Sequence, residues 1–225
     1  MRVDVWSDIT CPWCYLGRAR FSKALAASGH RAEVEVVHRS FELDPHRARR
    51  DVEAVIPMLM SSHRWSEEQA RDNERRLTRL TAEEGLAYVQ NRDHGNTHDL
   101  HRLLQYAKTR GRDHELLDLM FRANYAEERS LFNDDERLVA VAVEAGLEAE
   151  AARDVLGDSA AYADVVRADS RKLVELGGMG VPFMLLDGRV PVPGVRSVLA
   201  LTRILQEVYA GAAAEGRGGR MVAPQ

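Results

Sequence analysis

The only two cysteines of the chain, Cys11 and Cys14, flank Pro12 and Trp13. Two thiols one helical turn apart, just after a predicted strand, suit thiol–disulfide exchange. In that chemistry one thiolate attacks a sulfur of the substrate, and a second thiol then releases the mixed disulfide. Cys11 is the expected nucleophile, at the exposed start of a helix, where free N–H groups and the helix dipole favour a thiolate. Cys14, the more buried of the two, is the expected resolving thiol. Pro12 has no N–H and takes an early helical position where none is needed.

The neighbouring residues offer modulators. Asp8 lies three positions before Cys11, and a carboxylate beside a thiol raises the thiol's pKa, tunes the couple or relays a proton. It serves equally well as a cap on the active loop. Trp6, Trp13 and Tyr15 suggest an aromatic rim, with Trp13 facing substrate and Tyr15 packed. His98 and His101 share a helix face, but neither a cysteine nor a clear carboxylate set joins them, so no metal site is expected. A zinc ion shared between two chains through Cys11 and Cys14 would need four thiolates, and one chain supplies two.

These residues need elements to hold them. Val3 and Val5 alternate with polar residues up to Ser7-Asp8, which predicts a strand. Leu16, Phe21 and Leu25 recur at near-helical spacing after Cys14, and Gly29 stops that helix. Glu33 to His38 reads as a second strand, so strand–helix–strand predicts a parallel, right-handed unit. From about Val52 to Leu176 strand signals fade. Ser66-Glu67-Glu68-Gln69 has the capping-box pattern, with Gly85 as the stop. Further helices are predicted from Asn96-Thr97, Asp113, Asn133-Asp134, Ala151 and Ser159. The arginines Arg71, Arg75, Arg76 and Arg79, interleaved with Glu67, Glu68 and Glu74, read as a solvated helix face. At Gly177-Gly178 the pattern reverts: an apolar run from Phe183, Asp187-Gly188 as a hairpin turn, and Val190-Pro191-Val192 as an edge strand. A last helix is expected from Val195 to about Tyr209.

Composition limits the partners. The chain has 225 residues, 45% hydrophobic and 29% charged, with 31 basic and 35 acidic side chains and a net charge of −4. That even mixture gives no footprint for nucleic acid or an anionic membrane. The polar-alternating N-terminus lacks the apolar stretch of a signal peptide, and no run approaches the ~18–20 residues of a membrane span. A cytoplasmic setting is the expectation. There a dithiol is catalytic, redox-sensing or metal-binding sooner than structural.

The order strand–helix–strand, helical insertion, strand–hairpin–helix resembles an α/β thioredoxin fold with a large all-helical insertion. The chain resembles the DsbA-type thiol oxidoreductases, and within them the FrnE-like group of polyketide-associated dithiol–disulfide isomerases. The residues that carry the likeness are Ser7-Asp8-Ile9-Thr10-Cys11-Pro12-Trp13-Cys14-Tyr15-Leu16-Gly17, Asn96-Thr97 with His101-Arg102-Leu103, and Gly180-Val181-Pro182-Phe183. The resemblance implies residues 1–50 and 177–209 as a thioredoxin-like domain, 51–176 as the inserted helical subdomain and 210–225 as a flexible tail. It implies a cis Val181–Pro182 bond that turns the Val181 backbone toward the dithiol and an extended substrate. Asn96 and His101 are candidates for lining the cleft, with helix capping for Asn96 and a buried hydrogen bond for His101 as the plain alternatives. DsbA itself has a histidine inside its CxxC. Trp13 has no charge to lower the pKa of the Cys11 thiol, which implies a less oxidising couple. The substrate class implied is a cysteine-containing peptide or protein, or a small thiol. No tightly bound cofactor is expected, glutathione is allowed as co-substrate, and a homodimer is left open. The alternative is a glutathione-dependent isomerase or transferase of the 2-hydroxychromene-2-carboxylate isomerase or kappa-class type, whose members usually have serine at the Cys11 position.

Overall fold

A four-stranded mixed sheet organises the protein in the computed structural model, which describes residues 1–127 and 129–218. Strand β1 (Arg2–Ser7) pairs in parallel with β2 (Glu35–Ser40) and antiparallel with β5 (Phe183–Leu186), and β6 (Val190–Pro193) closes the far edge. Helix α1 (Pro12–Ala27) makes the crossover between β1 and β2. Asp187 and Gly188, with φ of 48° and 67°, turn the β5–β6 hairpin, as two successive left-handed residues do in the tight turn that matches strand twist. Pro191 stands on the edge strand, where a missing N–H breaks no central ladder.

Side chains alternate across the sheet with period two. Val3, Met184, Leu186 and Val192 face α1 and α9 (Val198–Gly218), where they meet Phe21, Leu25, Leu201 and Leu205. Trp6, Phe183 and Leu185 face the other way and meet Leu173 of α8 (Ala163–Glu175). Trp6 is only 1% exposed and its indole N–H donates to the Asp169 carbonyl, so it belongs to this core and not to a rim around the dithiol. The last helix runs past the expected stop at Tyr209 to Gly218. Of the expected tail, residues 219–225 lie outside the described residues.

Between β2 and β5 the chain is helical apart from a two-residue pairing of β3 (Glu53–Ala54) with β4 (Asp93–His94). Helices α2 (Val55–His63) and α3 (Glu67–Glu83) form a hairpin with a small core of its own around Val55, Leu59 and Ala70. The capping box is made in full: Gln69 N–H donates to the Ser66 hydroxyl, and Ser66 N–H donates to the Gln69 side chain. Helices α4 (His98–Thr109), α5 (Asp113–Tyr125), α6 (Asp135–Glu144) and α7 (Ala149–Gly157) bury the largest apolar cluster. Cys11 and Cys14 belong to that cluster, so the helical block and the sheet unit meet at the dithiol.

One charged position departs from the sequence reading. Glu74 of α3 is fully buried, not on a solvated face. It is ion-paired to Arg92 and accepts from the Tyr88 hydroxyl at 2.9 Å. The exposed pairs Arg71–Glu67 and Arg75–Asp72 do lie on the solvated side of the same helix.

Candidate active site

The loop after β1 carries the dithiol into α1. Cys11 N–H donates to the Asp8 carbonyl at 3.1 Å, and the Cys11 carbonyl accepts from Cys14 N–H at 3.0 Å and Tyr15 N–H at 3.3 Å, so the loop winds directly into the helix. Cys11 is the N-cap in extended conformation, and no side chain caps the helix there. Pro12 has no N–H and Cys14 and Tyr15 already donate to Cys11, so the Trp13 N–H and the helix dipole are what this end offers to negative charge. Pro12 occupies N1, as expected.

Burial is the first cause that pushes the Cys14 thiol well up, and Cys11 beside it adds to the effect. Cys11 is 4% exposed and Cys14 2%, so Cys11 is covered, not exposed as its place at the helix start suggested. Both cysteines belong to the largest apolar cluster, against which Val52, Tyr88, Trp13 and Val181 pack. Trp13 is half-buried, with the Arg76 guanidinium 5.4 Å from its ring centroid.

Opposite the dithiol stands the loop before β5. The Val181–Pro182 bond is cis, and the Cys11 thiol lies 3.7 Å from the Val181 carbonyl. Gly17 makes room for this approach. A Cβ on it would lie 3.2 Å from Cγ of Pro182, tighter than ordinary van der Waals contact. Behind Cys14, a narrow cavity of about 20 Å³ is lined by Gly17, Arg18, His38, Phe121, Pro182 and other residues.

Asp8 and His101 meet beneath the dithiol. The Asp8 carboxylate is fully buried, 3.3 Å from Nε2 of His101, and also accepts Leu43 N–H at 2.8 Å and Thr10 N–H at 3.4 Å. Burial alone would raise its pKa, but the hydrogen bond and charge of His101, with the Leu43 N–H, hold it below the usual carboxylate range. The charge of Asp8 acts to raise the Cys14 thiol, and its carboxylate, by accepting Leu43 N–H and Thr10 N–H, fixes the loop. Nδ1 of His101 is buried without a protein partner.

Asn96 sits at a different task. Its amide N–H donates to the Arg47 carbonyl at 2.8 Å and its oxygen accepts His98 N–H at 2.9 Å, so it pins the start of α4 to the preceding loop. His98 bonds Glu42 at 3.2 Å and stands apart from the Asp8–His101 pair.

Several residues of the site have no local signal in the sequence. The Thr10 hydroxyl and Nδ1 of His94 are 2.7 Å apart, tying the active loop to β4. Tyr125 stacks on Tyr15 with centroids 5.0 Å apart and on Tyr88 at 5.8 Å. Arg92 lies 5.0 Å over each of Tyr88 and Tyr125. The Tyr125 hydroxyl is buried without a partner. Burial is the first cause that raises its pKa well above the ordinary value, and the charges of both cysteines act in the same direction.

A thioredoxin-type sheet, a helix-capping dithiol and a facing Val–cis-Pro loop define a protein built like the dithiol oxidoreductases. The model of the DSBA-like thioredoxin domain matches residues 2–206, and the chain belongs to that family. It is similar to a probable DsbA oxidoreductase from Streptomyces coelicolor, with 54% identity and a TM-score of 0.91 over 100% of this chain and 93% of that one. It shares its fold with a 2-hydroxychromene-2-carboxylate isomerase (19% identity, TM-score 0.67, 99% of this chain and 100% of that one). It shares it also with the cytosolic disulfide reductase DsbM of Pseudomonas aeruginosa, solved with GSH (18%, 0.62, 96% and 100%). A search of curated proteins found no match. Among the described residues no helix is long and apolar enough to cross a membrane.

Proposed function

We propose that this chain is a thiol–disulfide oxidoreductase or isomerase in which Cys11 exchanges with substrate and Cys14 resolves. One observation carries the reading: a thiol pair at an uncapped helix N-terminus, with Cys11 against the Val181 carbonyl and Cys14 held protonated by burial. In the reducing direction the Cys11 thiolate attacks one sulfur of a substrate disulfide, forming a mixed disulfide and releasing a substrate thiolate. Cys14 then loses its proton and attacks the Cys11 sulfur. That step frees the second substrate thiolate and leaves the Cys11–Cys14 disulfide. Oxidation of a dithiol substrate runs the same steps backwards.

Cys14 needs help to ionise, and Asp8, paired with His101, is an ionisable group whose charge acts on it. We assign this pair the acceptance of the Cys14 proton. Trp13, Val181 and Pro182 form the substrate wall. A covered dithiol favours small thiols or an extended cysteine-containing segment over a folded protein surface. Glutathione as co-substrate fits that limit, and the fold shared with DsbM, solved with GSH, supports it. The FrnE-like placement, a cytoplasmic setting and a polyketide-associated role belong to this reading and rest on the motif from Ser7 to Gly17. So does the division into a thioredoxin-like unit and an inserted helical subdomain.

A glutathione-dependent isomerase is the second reading, favoured by the fold shared with 2-hydroxychromene-2-carboxylate isomerase. Cys14 separates the two. Equilibration of the wild-type pair against glutathione buffers should yield a Cys11–Cys14 disulfide, and insulin reduction should disappear in both Cys11→Ser and Cys14→Ser. Activity that survives in Cys14→Ser and depends on glutathione would favour the isomerase.

A further inference from the structure

Behind the wall that faces Cys14 lies a cluster that the dithiol chemistry does not use. His38 on β2 places Nε2 3.0 Å from Nδ1 of His114 in the first turn of α5. Asp113 adds a carboxylate, and ligand atoms of the three residues lie within 4.8 Å of one another. Asp113 is 8% exposed, and no side-chain hydrogen bond or ion pair ties up its carboxylate among the described residues, which leaves it available as a ligand; the Lys108 ammonium is a charge it acts on.

Nitrogen ligands about 2.0–2.1 Å from a tetrahedral zinc ion lie roughly 3.3 Å from each other, close to the observed separation. Two imidazoles and a carboxylate are also the donor set that zinc and its neighbours in the first transition row accept. We propose that His38, Asp113 and His114 form a binding site for a divalent transition-metal ion of the zinc type. Arg18 is the built-in competitor. Its Nη1 lies 3.0 Å from the same Nε2 of His38, while its Nε is anchored to Asp118, whose side chain is 64% exposed. Its Nη2 donates to the His114 carbonyl at 3.1 Å, so the guanidinium has to leave both contacts for the lone pair to come free. The site is independent of the redox reading, because neither cysteine is a ligand. The cavity lined by Cys14, Arg18 and His38 nevertheless places the ion near the chamber behind the resolving thiol.

The test uses the full chain with Cys11→Ser and Cys14→Ser, which removes thiolate ligands. Co²⁺ is titrated by visible absorption and Zn²⁺ by equilibrium dialysis, with circular dichroism to confirm folding of every variant. The site predicts one ion per chain, with affinity weakened at least ~10-fold by His114→Ala and by Asp113→Asn. Arg18→Gln, which removes the competing charge, should tighten binding. Two results overturn the proposal: no ion bound by either the parent or the Arg18→Gln chain, or binding that both ligand substitutions leave unchanged.

Discussion

Burial acts on Cys14 more strongly as thiolate than as thiol, and this has a consequence for stability. A thiol whose folded pKa is raised keeps its proton in the native state at pH values where the unfolded chain has lost it. Its contribution is complete below the unfolded value of about 8.5 and is lost as pH rises from there toward the folded value. The urea midpoint of the reduced protein should therefore fall between about pH 8.5 and pH 10, and Cys14→Ser should flatten that slope. Asp8 has the opposite sign. Its folded pKa is lowered, so its contribution is present above the unfolded value of about 3.9 and lost as pH falls through the folded one. Asp8→Asn should remove that acid limb and cost about 1–3 kcal/mol at neutral pH, because the amide lacks the charge that His101 and the Leu43 N–H now meet. Stopped-flow measurement of mixed-disulfide release should show a slower Cys14 step in the same variant. An unchanged rate would remove Asp8 from the proton path.

At the level of elements, the buried pair Glu74–Arg92 fixes α3 to the segment that leads into β4. Removing one partner leaves the other charge uncompensated, so Glu74→Gln should destabilise by about 3–5 kcal/mol in denaturant unfolding. A paired Glu74→Leu, Arg92→Met replacement should recover much of the loss. This contact also shows where sequence reading stops. The capping box at Ser66, the Asp187-Gly188 turn and the alternation of Val3 and Val5 are local. Each is set by the conformational preferences of residues a few positions apart. Glu74 stands among arginines and glutamates whose pattern reads as solvated, and its partner lies 18 residues away, so nothing local distinguishes it. The cover over Cys11 has the same origin. Val52, Tyr88, Tyr125 and Val181 are far apart in the chain and come together only through packing. The dithiol, Pro12, the Val181-Pro182 pair and Asp8 were legible because one short stretch or one family motif carries each. His101 was legible as a position but not as the partner of Asp8.

For the whole molecule, the sheet with α1 presents the dithiol, and the cluster that holds both cysteines is built mainly by helices α4 to α7. Contacts across the cover are partly ionic. Glu84, just after α3, accepts from Arg20 at 2.7 Å and Lys23 at 2.9 Å on α1, and the Tyr15 hydroxyl donates to the Ala87 carbonyl at 3.1 Å. Burial would raise the Glu84 carboxyl, but Lys23 and Arg20 hold it below its ordinary value, so it stays charged at neutral pH. The α2–α3 hairpin has a small core of its own around Val55, Leu59 and Ala70 and is tied to its surroundings by the Glu74–Arg92 and Glu84 ion pairs, which makes it the segment suited to lift while the sheet stays folded. If lifting exposes Cys11, weakening the clamp should speed access without unfolding the chain. Glu84→Gln in a Cys14→Ser background is expected to raise the rate of Cys11 alkylation by iodoacetamide about 5-fold. That corresponds to ~1 kcal/mol of opening free energy. The global unfolding midpoint should move little, and added salt should speed alkylation of the parent more than of the variant, because only the parent has the ion pairs to screen. Equal alkylation rates in parent and variant at low salt would mean that substrate reaches Cys11 by another route, with the helical block fixed in place.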